Sequence, residues 1–596
     1  MKLFKVVAWC VCCVAINGFT SSTVQGYEID THSNITVRAH DQSIINLPDK
    51  LAGLGLLKSR KIGLDSRYNY SLGINYYDLS SSYPTLRSAK TFDQMNTAVM
   101  RQGAPSPKNR WIFSGIDGQA LPYFPRDWMA RGAVREDDAK ALFATIAKLD
   151  GEQNALDVLD VGLPLNRFCN HFYDPVNNQA LSLGANPLGL FACGPTEVFA
   201  SGVQWAMGTT NVDGSGTPDS TRKNGFSILD AREAMWRALT GTDRQGVAVA
   251  TTRADRDAYW ATTFRSLGDV AHLLQDLSQP QHTRNEPHPG GEAGYFEGHV
   301  NARALGLTKK VPGPTSITEV ALPPLNYGNY AVPSFSRYLH YFSTASGADS
   351  YTGTGIANYS NRSFFTSLAN FGNSKYSRPS NVRADYLVEL ETVPFIPGAT
   401  GTYLKADIPD ALGGALATQV VMTRESILKE ALEANAGPAI AQTYGYMIDE
   451  RVIDAQADLV IPRAVAYSTG LINFFFRGSL NVEPTSDGVF GVLDHATDAG
   501  FGKLVVKVRN TTPAVTDSVT NGSVPQPMSA GKFVAVVRYH KDWKYQNNLS
   551  AAIGLGECDT LAAIYGAGNE PGVPGHDPTR TTACRDGNEM SNGELV

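Results

Sequence analysis

Apolar residues recur at helical spacing in several segments before residue 480. The longest periodic stretch runs from Arg253 to Leu277. Its apolar positions lie three or four residues apart and share one predicted helix face: Trp260, Phe264, Leu267, Ala271 and Leu274. This spacing is typical of an amphipathic helix with one buried side. We therefore predict a long helix from Arg253 to Leu277, which Pro280 ends.

Other segments carry shorter helical signals. The segment "SILDAREAMWRALT", from Ser227 to Thr240, begins with a Ser-x-x-Asp capping pattern and is followed by Gly241, which is typical of a helix end. Further helices are predicted for Asp137 to Asp150, Ala415 to Gly437 and Ile461 to Gly478. Two stretches rich in Gly, Asn, Ser and Pro lie between them, and we interpret both as long surface insertions: Asn177 to Gly225 and Lys309 to Ala411.

The pattern changes after about Leu480. Short runs of β-branched residues, such as Lys503 to Asn510 and Lys532 to Trp543, alternate with Thr, Asn, Gly and Pro turns. We therefore predict a mainly α protein in which residues 27–479 form a helical domain. Residues 480–596 are predicted to form a small C-terminal β-domain with a sandwich-like arrangement.

The N-terminal residues have the features of a secretory signal peptide. Lys2 and Lys5 precede the apolar run "VVAWCVCCVAINGF", and small and polar residues follow it. We assign residues 1–26 to the signal and place the mature start at Tyr27. A membrane anchor is the alternative, but the apolar run is shorter than the ~20 residues that a span needs. The prediction is a secreted protein.

Composition and cysteine content narrow the chemistry. The chain has 596 residues, 18% of them charged, and a formal net charge of -6, so no basic field recruits nucleic acid. A nuclease with a small cleft stays compatible with this charge. Four cysteines remain after the signal, and two local disulfides are expected, Cys169 with Cys193 and Cys558 with Cys584, although four cysteines allow three connectivities. Because no Cys-x-x-Cys pair remains, any metal must be held by histidine and carboxylate.

Histidines are concentrated in one segment. The chain contains 11 histidines, and four of them lie between residues 272 and 299. On a helix, His272 and Asp276 are one turn apart and can reach the same ion. A turn at Pro280 would bring His282 back toward them. An isolated pair of this kind is usually a surface hydrogen bond, but the clustering favours a metal site.

Three segments resemble the zinc-dependent phospholipase C and single-strand-specific nuclease superfamily. The segment "LGDVAHLLQDLSQPQH" is similar to the His-x-x-x-Asp-x-x-x-x-x-His element of that family. "NHFYDP" is similar to the family's segment with a zinc-binding histidine, and "GAVREDD" to its segment with a zinc-binding aspartate. The matching residue in "NHFYDP" is His171. The matching residue in "GAVREDD" is Asp137, with Asp138 as the alternative. The resemblance implies a multi-helix phospholipase C-like domain.

A fourth segment matches at the predicted mature terminus. In this family the free N-terminal residue binds zinc through its amino nitrogen and carbonyl oxygen, and a nearby histidine binds the same ion. In "YEIDTH" the corresponding residues are Tyr27 and His32, with Tyr in place of the family's usual Trp. The resemblance therefore implies that signal removal creates a metal ligand.

The resemblance implies three zinc ions. The ligands of the first ion would be Asp137, His171, His272 and Asp276. The second ion would be held by the Tyr27 backbone, His32 and a bridging Asp276. The third would be held by His282, His288 and Glu297, with His299 as a weaker alternative to His288 because position 293, where the family has histidine, is Ala.

The ligand set implies hydrolysis of phosphodiesters. Metal ions in such sites activate water and stabilise the attacking and leaving oxygens, with Asp137 as the implied general base and Asp276 as the bridging carboxylate. The "HFYDP" run is closer to the phospholipase branch. Phe168 lies where phospholipases place an aromatic residue against choline, although a Phe packed in the core is an equal alternative.

We therefore predict a secreted zinc-dependent phospholipase C that acts on a phospholipid membrane surface, with no stable protein partner. A zinc-dependent nuclease or nucleotidase with a nucleic-acid substrate is the alternative enzyme. A secreted protein with structural zinc and a binding β-domain is the alternative without enzymatic activity.

Overall fold

Helices form the framework around which the other described elements are arranged. A computed structural model of the protein describes residues 29–56, 124–136, 167–182, 199–221, 224–250, 253–286, 296–312, 316–366, 388–392, 400–410, 412–425, 434–437, 446–488, 491–492, 503–528, 537–538 and 594–595. The α-helices of this part are α1 (Ile29–Gln42), α2 (Pro48–Gly53), α3 (Pro125–Arg135), α4 (Gly202–Met207), α5 (Ile228–Thr240), α6 (Arg253–Asp276), α7 (Pro280–Thr283), α8 (Phe296–Ala304), α9 (Leu339–Phe342), α10 (Ile356–Ser363) and α11 (Glu450–Phe475). Short 3-10 helices span Ile44–Asn46, Arg167–Asn170 and Gly347–Thr352.

The described strands are short and antiparallel. They are β1 (Thr308–Pro312), β2 (Ile317–Ala321), β3 (Val388–Thr392), β4 (Thr400–Ile408), β5 (Ala417–Glu425), β6 (Tyr446–Met447), β7 (Leu480–Pro484), β8 (Gly491–Val492), β9 (Lys503–Leu504), β10 (Val506–Asn510), β11 (Val515–Thr516), β12 (Ser523–Val524), β13 (Val537–Arg538) and β14 (Glu594–Leu595). One sheet has the order β3-β4-β5-β6, and the other strands pair two by two. The described residues are partly helical with small antiparallel sheets, which is compatible with the mainly α fold that the sequence predicts.

Local sequence signals place the ends of α5 and α6. Ser227 accepts a hydrogen bond from the Asp230 backbone N–H, and the Asp230 side chain bonds back to the Ser227 N–H, which forms the predicted capping box. Gly241 ends α5 with a φ of 72°, a left-handed conformation that glycine adopts without a steric cost. Helix α6 spans the predicted segment and ends at Asp276, one residue earlier than predicted.

The prediction of a helix from Ala415 to Gly437 is wrong for residues Ala417–Glu425, whereas residues 434–436 are helical and residues 426–433 lie outside the described part of the chain. Residues Ala417–Glu425 form β5, which pairs with β4 and β6. The run from Val420 to Thr423 is buried against a hydrophobic cluster that also contains part of α11. Its β-branched side chains fit the pleated surface, so packing in the sheet explains why this run is a strand. Helix α11 itself begins at Glu450, earlier than the predicted Ile461.

The two ranges interpreted as surface insertions contribute to the core. In the first range, Val203 and Trp205 on α4 are buried in the main hydrophobic cluster. In the second range, Phe342 and Ile356 belong to the same cluster. The surface interpretation is therefore wrong for these segments, because aromatic and branched side chains among the Gly and Asn residues supply buried area.

The described C-terminal strands form two-stranded ribbons. Strand β7 pairs with β10, and β11 pairs with β12. The β11–β12 turn contacts the helical part, since the Ser518 N–H donates to the Ser334 carbonyl at 2.7 Å and the Ser336 N–H donates to Asp517 at 2.8 Å. The β character after Leu480 is confirmed for these residues, and the sandwich arrangement stays a prediction.

The close crossing of α3 and α6 positions the candidate site. A Cβ atom on Gly132 would overlap the Arg265 carbonyl, and one on Gly268 would overlap the Met129 carbonyl. Only glycine permits this backbone approach. Helices α1 and α11 also pack on α6, so α1, α3 and α6 meet at one place in the interior. No described helix combines the length and the apolar character that a membrane crossing requires.

Candidate metal centre

Three histidines surround the carboxylate of Asp276. His32 Nε2 lies 3.2 Å from Asp276 Oδ1, whereas His272 Nε2 lies 3.1 Å and His171 Nδ1 lies 2.7 Å from Asp276 Oδ2. All four side chains are fully buried. The chain thus brings together residues that are more than 200 positions apart in the sequence, and both oxygens of one carboxylate face imidazole nitrogen atoms.

Three separate elements supply these side chains. His272 and Asp276 lie one turn apart on α6, as their spacing predicts, and His32 lies on the buried face of α1. His171 follows the 3-10 helix Arg167–Asn170 and is covered by α4, where a Cβ on Gly202 would press on the His171 carbonyl. The glycine is therefore needed for α4 to approach the histidine.

The second ring nitrogen of two of these histidines faces an oxygen that can only accept a hydrogen bond. His272 Nδ1 lies 2.5 Å from the Ala133 carbonyl oxygen, and His32 Nδ1 lies 2.8 Å from Gln275 Oε1. The Gln275 amide nitrogen donates to Thr36 Oγ1 at 2.8 Å, which orients the amide. Each Nδ1 therefore carries a hydrogen, so that in the neutral ring the lone pair is on Nε2.

A cation between these Nε2 atoms and Asp276 would stabilise their arrangement. A lone pair that faces a carboxylate oxygen at about 3 Å is repelled unless a proton or a metal ion joins them. The His32 and His272 rings are stacked with their centroids 3.7 Å apart, so protonation of both rings would place two positive charges face to face. A single metal ion shared by His32, His272 and Asp276 would avoid this repulsion, and the three groups could hold one.

The distances fit such an ion. Ligand atoms at ~2.0–2.1 Å from a tetrahedral zinc lie roughly 3.3 Å from one another. The observed separations of 3.2 and 3.1 Å between Nε2 and Asp276 oxygens are close to that value. His32, His272 and Asp276 form a buried group whose ligand atoms all lie within 4.8 Å of one another, and this group could hold a metal ion.

No arginine or lysine of the described chain pairs with Asp276; its ion-pair contacts are the three histidines. Burial raises the pKa of the Asp276 carboxyl, but the positive charges of His272, His282 and His171, when these imidazoles are protonated, outweigh burial and hold that pKa well below its usual range. The carboxylate is therefore ionised, and its compensation depends on the imidazole groups and whatever cation they hold.

Glu136 is a buried carboxylate that the sequence reasoning missed. It follows α3 and is fully buried, with Oε1 3.7 Å from His171 Nε2 and 2.7 Å from the Trp205 indole N–H that donates to it. Burial lowers the pKa of His171, and the carboxylates of Asp276 and Glu136 raise it above its ordinary value. Glu136 lies four residues after Gly132, on the helix face that meets α6, and this spacing is the signal that would have identified it.

His282 and Glu297 form a second buried pair. His282 lies on α7, with Nε2 3.5 Å from Glu297 Oε1, and Glu297 lies on α8. The His282 ring stacks on Phe172 at a centroid distance of 4.4 Å, and its Nδ1 lies 3.3 Å from the His171 carbonyl oxygen. The turn at Pro280 thus brings His282 within electrostatic reach of Asp276, as predicted, and the His282 ring is 6.5 Å from the His171 ring.

The structure does not bring His299 to this pair. His299 Nε2 lies 2.8 Å from Asp454 on α11, in a cluster with Arg303. The weaker alternative for the third ion is therefore engaged in a different contact. His288, the preferred alternative, lies outside the described residues.

Several predicted residues lie where the structure gives no side-chain description. Tyr27, Asp137 and Asp138 lie outside the described residues, as do the signal segment 1–26 and the predicted helix from Asp137 to Asp150. Phe168 belongs to the 3-10 helix Arg167–Asn170, but its side chain is not described. Cys169 is disulfide-bonded. Its predicted partner Cys193 lies outside the described residues, and so do Cys558 and Cys584.

Comparison of the chain with protein-family models, curated proteins and solved structures finds no match. The functional interpretation therefore depends on the donor set itself. Neutral imidazole and carboxylate are the ligands of zinc in the absence of cysteine, and hydrogen bonds from the distal ring nitrogen to an amide or backbone oxygen are typical of metal-binding histidines. The buried centre around Asp276 has both properties.

Proposed function

We propose that this protein is a secreted zinc-dependent phosphodiester hydrolase that acts as a phospholipase C on a phospholipid surface. The observation that supports it is the orientation of His32 and His272, whose Nε2 lone pairs face both oxygens of the buried, ionised Asp276. The sequence resemblance described above adds the reaction class. Zinc at this centre would activate water and offset negative charge on the phosphodiester.

The chain's own residues have defined tasks in this proposal. The Ala133 carbonyl and the Gln275 amide hold the imidazoles of His272 and His32 in the tautomer that can bind a cation. Asp276 offers one oxygen to His32 and the other to His272 and His171, an arrangement suited to a bridging ligand. The buried walls exclude bulk water, which strengthens each of these electrostatic interactions.

Glu136 and the His282–Glu297 pair extend the proposal to further ions. Glu136 lies beside His171, next in sequence to the predicted ligand Asp137. Glu136 is therefore a further carboxylate candidate for a ligand or for a base that accepts a proton from water. The pair of His282 and Glu297 supplies one imidazole and one carboxylate toward a separate ion. Three zinc ions per chain remain part of the proposal.

The direct test is phosphocholine release from phosphatidylcholine vesicles by the signal-cleaved protein, with zinc content measured on the same sample. We expect release that is lost on chelation and restored by zinc, and no release by Asp276→Asn. Asp454→Asn is the matched control, because that aspartate also contacts a histidine but is paired with Arg303. Zinc-loaded protein that releases no phosphocholine but cleaves single-stranded nucleic acid would favour the nuclease alternative.

A structural role for zinc has a different signature. If zinc is structural, chelation should unfold the protein at the same free zinc concentration at which function is lost, because structural sites contribute their binding energy to folding. In our proposal, activity disappears while the circular dichroism spectrum of the helices is retained.

A further inference from the structure

A cavity lies where the helical part of the chain meets the described C-terminal ribbons. It has a volume of about 360 Å³, which is within the range of small-molecule sites. We call it the junction pocket and define it by its lining residues: Arg232, Met235, Trp236, Leu239, Arg244, Tyr338, Phe475, Arg477, Gly478, Thr512, Gln526, Pro527 and Met528. None of these residues belongs to the candidate metal centre.

One face of α5 forms a wall of the junction pocket. Arg232, Trp236 and Leu239 lie three or four residues apart, so their side chains share that face. The Arg244 guanidinium covers the Trp236 ring at 4.5 Å and is paired with Glu233 at 2.8 Å. The wall thus combines an aromatic surface with positive charge at its edge.

Arg477 is held in place by groups that carry no charge. Its Nε donates to Gln526 Oε1 at 2.9 Å, one terminal nitrogen donates to the Phe474 carbonyl at 2.5 Å, and its guanidinium lies 3.6 Å from the centre of the Phe474 ring. Among the described residues, neither Arg477 nor Arg232 forms an ion pair with a carboxylate. Two guanidinium charges at this pocket are therefore not neutralised by the described part of the chain.

The apolar part of the lining is adaptable. Met235 and Met528 have flexible, polarisable side chains that fill irregular space, and Phe475 and Pro527 add rigid apolar surface. A small inorganic anion would contact the arginines but leave this surface exposed to water. An apolar ligand without a charge would leave Arg232 and Arg477 without a counter-ion.

We propose that the junction pocket binds an amphiphilic anion whose carboxylate or phosphate group contacts Arg232 and Arg477 and whose apolar body packs on Trp236 and the two methionines. Planar guanidinium groups bind carboxylate and phosphate oxygens through paired hydrogen bonds. The same chemistry is found in a fatty-acid carboxylate and in a phosphate ester of an apolar alcohol. This site is independent of the proposed hydrolytic function.

The test is isothermal titration calorimetry of the full-length protein with matched probes. Octanoate represents the acyl carboxylate, and 1-naphthylmethylphosphonate, which resists hydrolysis, represents the phosphate group on an apolar body. Octanol and 1-naphthol serve as controls that lack the anionic group. Inorganic phosphate is the control that lacks the apolar body. We expect saturable binding of one or both amphiphilic anions, with binding at least about tenfold weaker for each of the three controls. The anion that binds shows whether the ligand is an acyl carboxylate or a phosphate ester of an apolar alcohol.

Two exposed positions allow the pocket to be altered without disturbing the core. Arg232→Gln removes one charge and should weaken binding roughly fivefold, as expected for an exposed ion pair. Met528→Glu places a negative charge at the pocket and should weaken binding by about tenfold or more. Arg509→Gln, an exposed arginine on β10, is the matched control and should bind like the wild type.

Three results would overturn the proposal: no saturable binding of either amphiphile, equal binding of the neutral alcohols or of inorganic phosphate, or binding that neither Arg232→Gln nor Met528→Glu weakens. The last result would place the ligand elsewhere, including at the metal centre, because the two substitutions do not touch that centre. Unfolding midpoints equal to that of the wild type confirm that the variants are folded.

Discussion

Two clusters among the described residues, one around Asp276 and one around Asp454, pair histidine with aspartate but differ in the source of positive charge. Around Asp276, three imidazoles face a fully buried carboxylate, and no arginine or lysine of the described chain pairs with it. Around Asp454, one imidazole from His299 shares the carboxylate with the guanidinium of Arg303, which also pairs with Asp458 at 2.9 Å.

The difference separates a structural ion-pair network from a candidate metal site. Arg303 has permanent charge and donates to the Pro323 and Pro324 carbonyls at 2.9 Å, so the second cluster is already compensated and joins α8 to α11. The first cluster is compensated only if protons or a metal ion are added. Histidine and aspartate alone would not distinguish the two clusters. The arginine beside Asp454 does, because Asp276 has no such neighbour among the described residues.

Substitution of Asp276 should have the largest effect. Asp276→Asn removes the carboxylate that all three imidazoles face, so we expect loss of bound zinc and a decrease in phosphodiester hydrolysis of about a thousandfold or more. Zinc content by atomic emission and hydrolysis rate are measured on the same sample. Asp454→Asn should leave both values near the wild type. Equal zinc content in the two variants would remove the distinction between the clusters.

A substitution at the close crossing of α3 and α6 should have the next largest effect. Gly268→Ala forces the helices apart because its Cβ would overlap the Met129 carbonyl, and this also moves the Ala133 carbonyl away from His272. We expect a loss of about 2 kcal/mol in the free energy of unfolding, together with weaker zinc binding. Denaturant titration and metal competition measure the two effects. Gly53→Ala, which has open space around it, is the control and should change neither.

A substitution behind the metal ligands should have an intermediate effect. Gln275→Leu removes the acceptor for His32 Nδ1, so the tautomer of His32 is no longer fixed. We expect zinc affinity to fall roughly 10- to 100-fold, as for other groups that orient metal-binding histidines. Gln456→Leu removes a buried amide that donates to the Phe365 carbonyl and should leave zinc affinity unchanged. If both variants lose the same affinity, the effect is one of general stability.

Removal of the arginine in the second cluster should have the smallest effect on metal binding. Arg303→Met leaves Asp454 and Asp458 without their guanidinium partner, and these carboxylates are 31% and 48% exposed. Solvent therefore screens much of the loss, and we expect a decrease of about 2 kcal/mol in stability with zinc content unchanged. Loss of zinc in this variant would show that the two clusters are not independent.

The sequence predicts those parts of the site that depend on local spacing. The one-turn separation of His272 and Asp276 and the turn at Pro280 follow from helix geometry and from proline chemistry. The meeting of His32 with Gln275 joins residues 243 positions apart, and no local pattern contains that information. The resemblance implied that His32 and Asp276 share an ion, but the sequence-based expectations did not include the contact between His32 and Gln275.

Two differences between sequence and structure have physical reasons. Strand β5 is buried by β4 and α11, and such long-range packing is absent from a local helical pattern. Glu136 is missing from the predicted ligands because the resemblance implies an aspartate, Asp137, and the crossing of α3 with α6 places Glu136 on the buried helix face. Side-chain direction on a helix becomes predictable once the partner helix is known.

The most direct test is a crystal structure of the signal-cleaved protein grown with zinc, with diffraction measured on both sides of the zinc absorption edge. The account predicts an anomalous peak between Asp276 and the Nε2 atoms of His32 and His272, at ~2.0–2.2 Å from its ligand atoms. A map without a peak at this position, with the same side chains joined directly through protons, would contradict it.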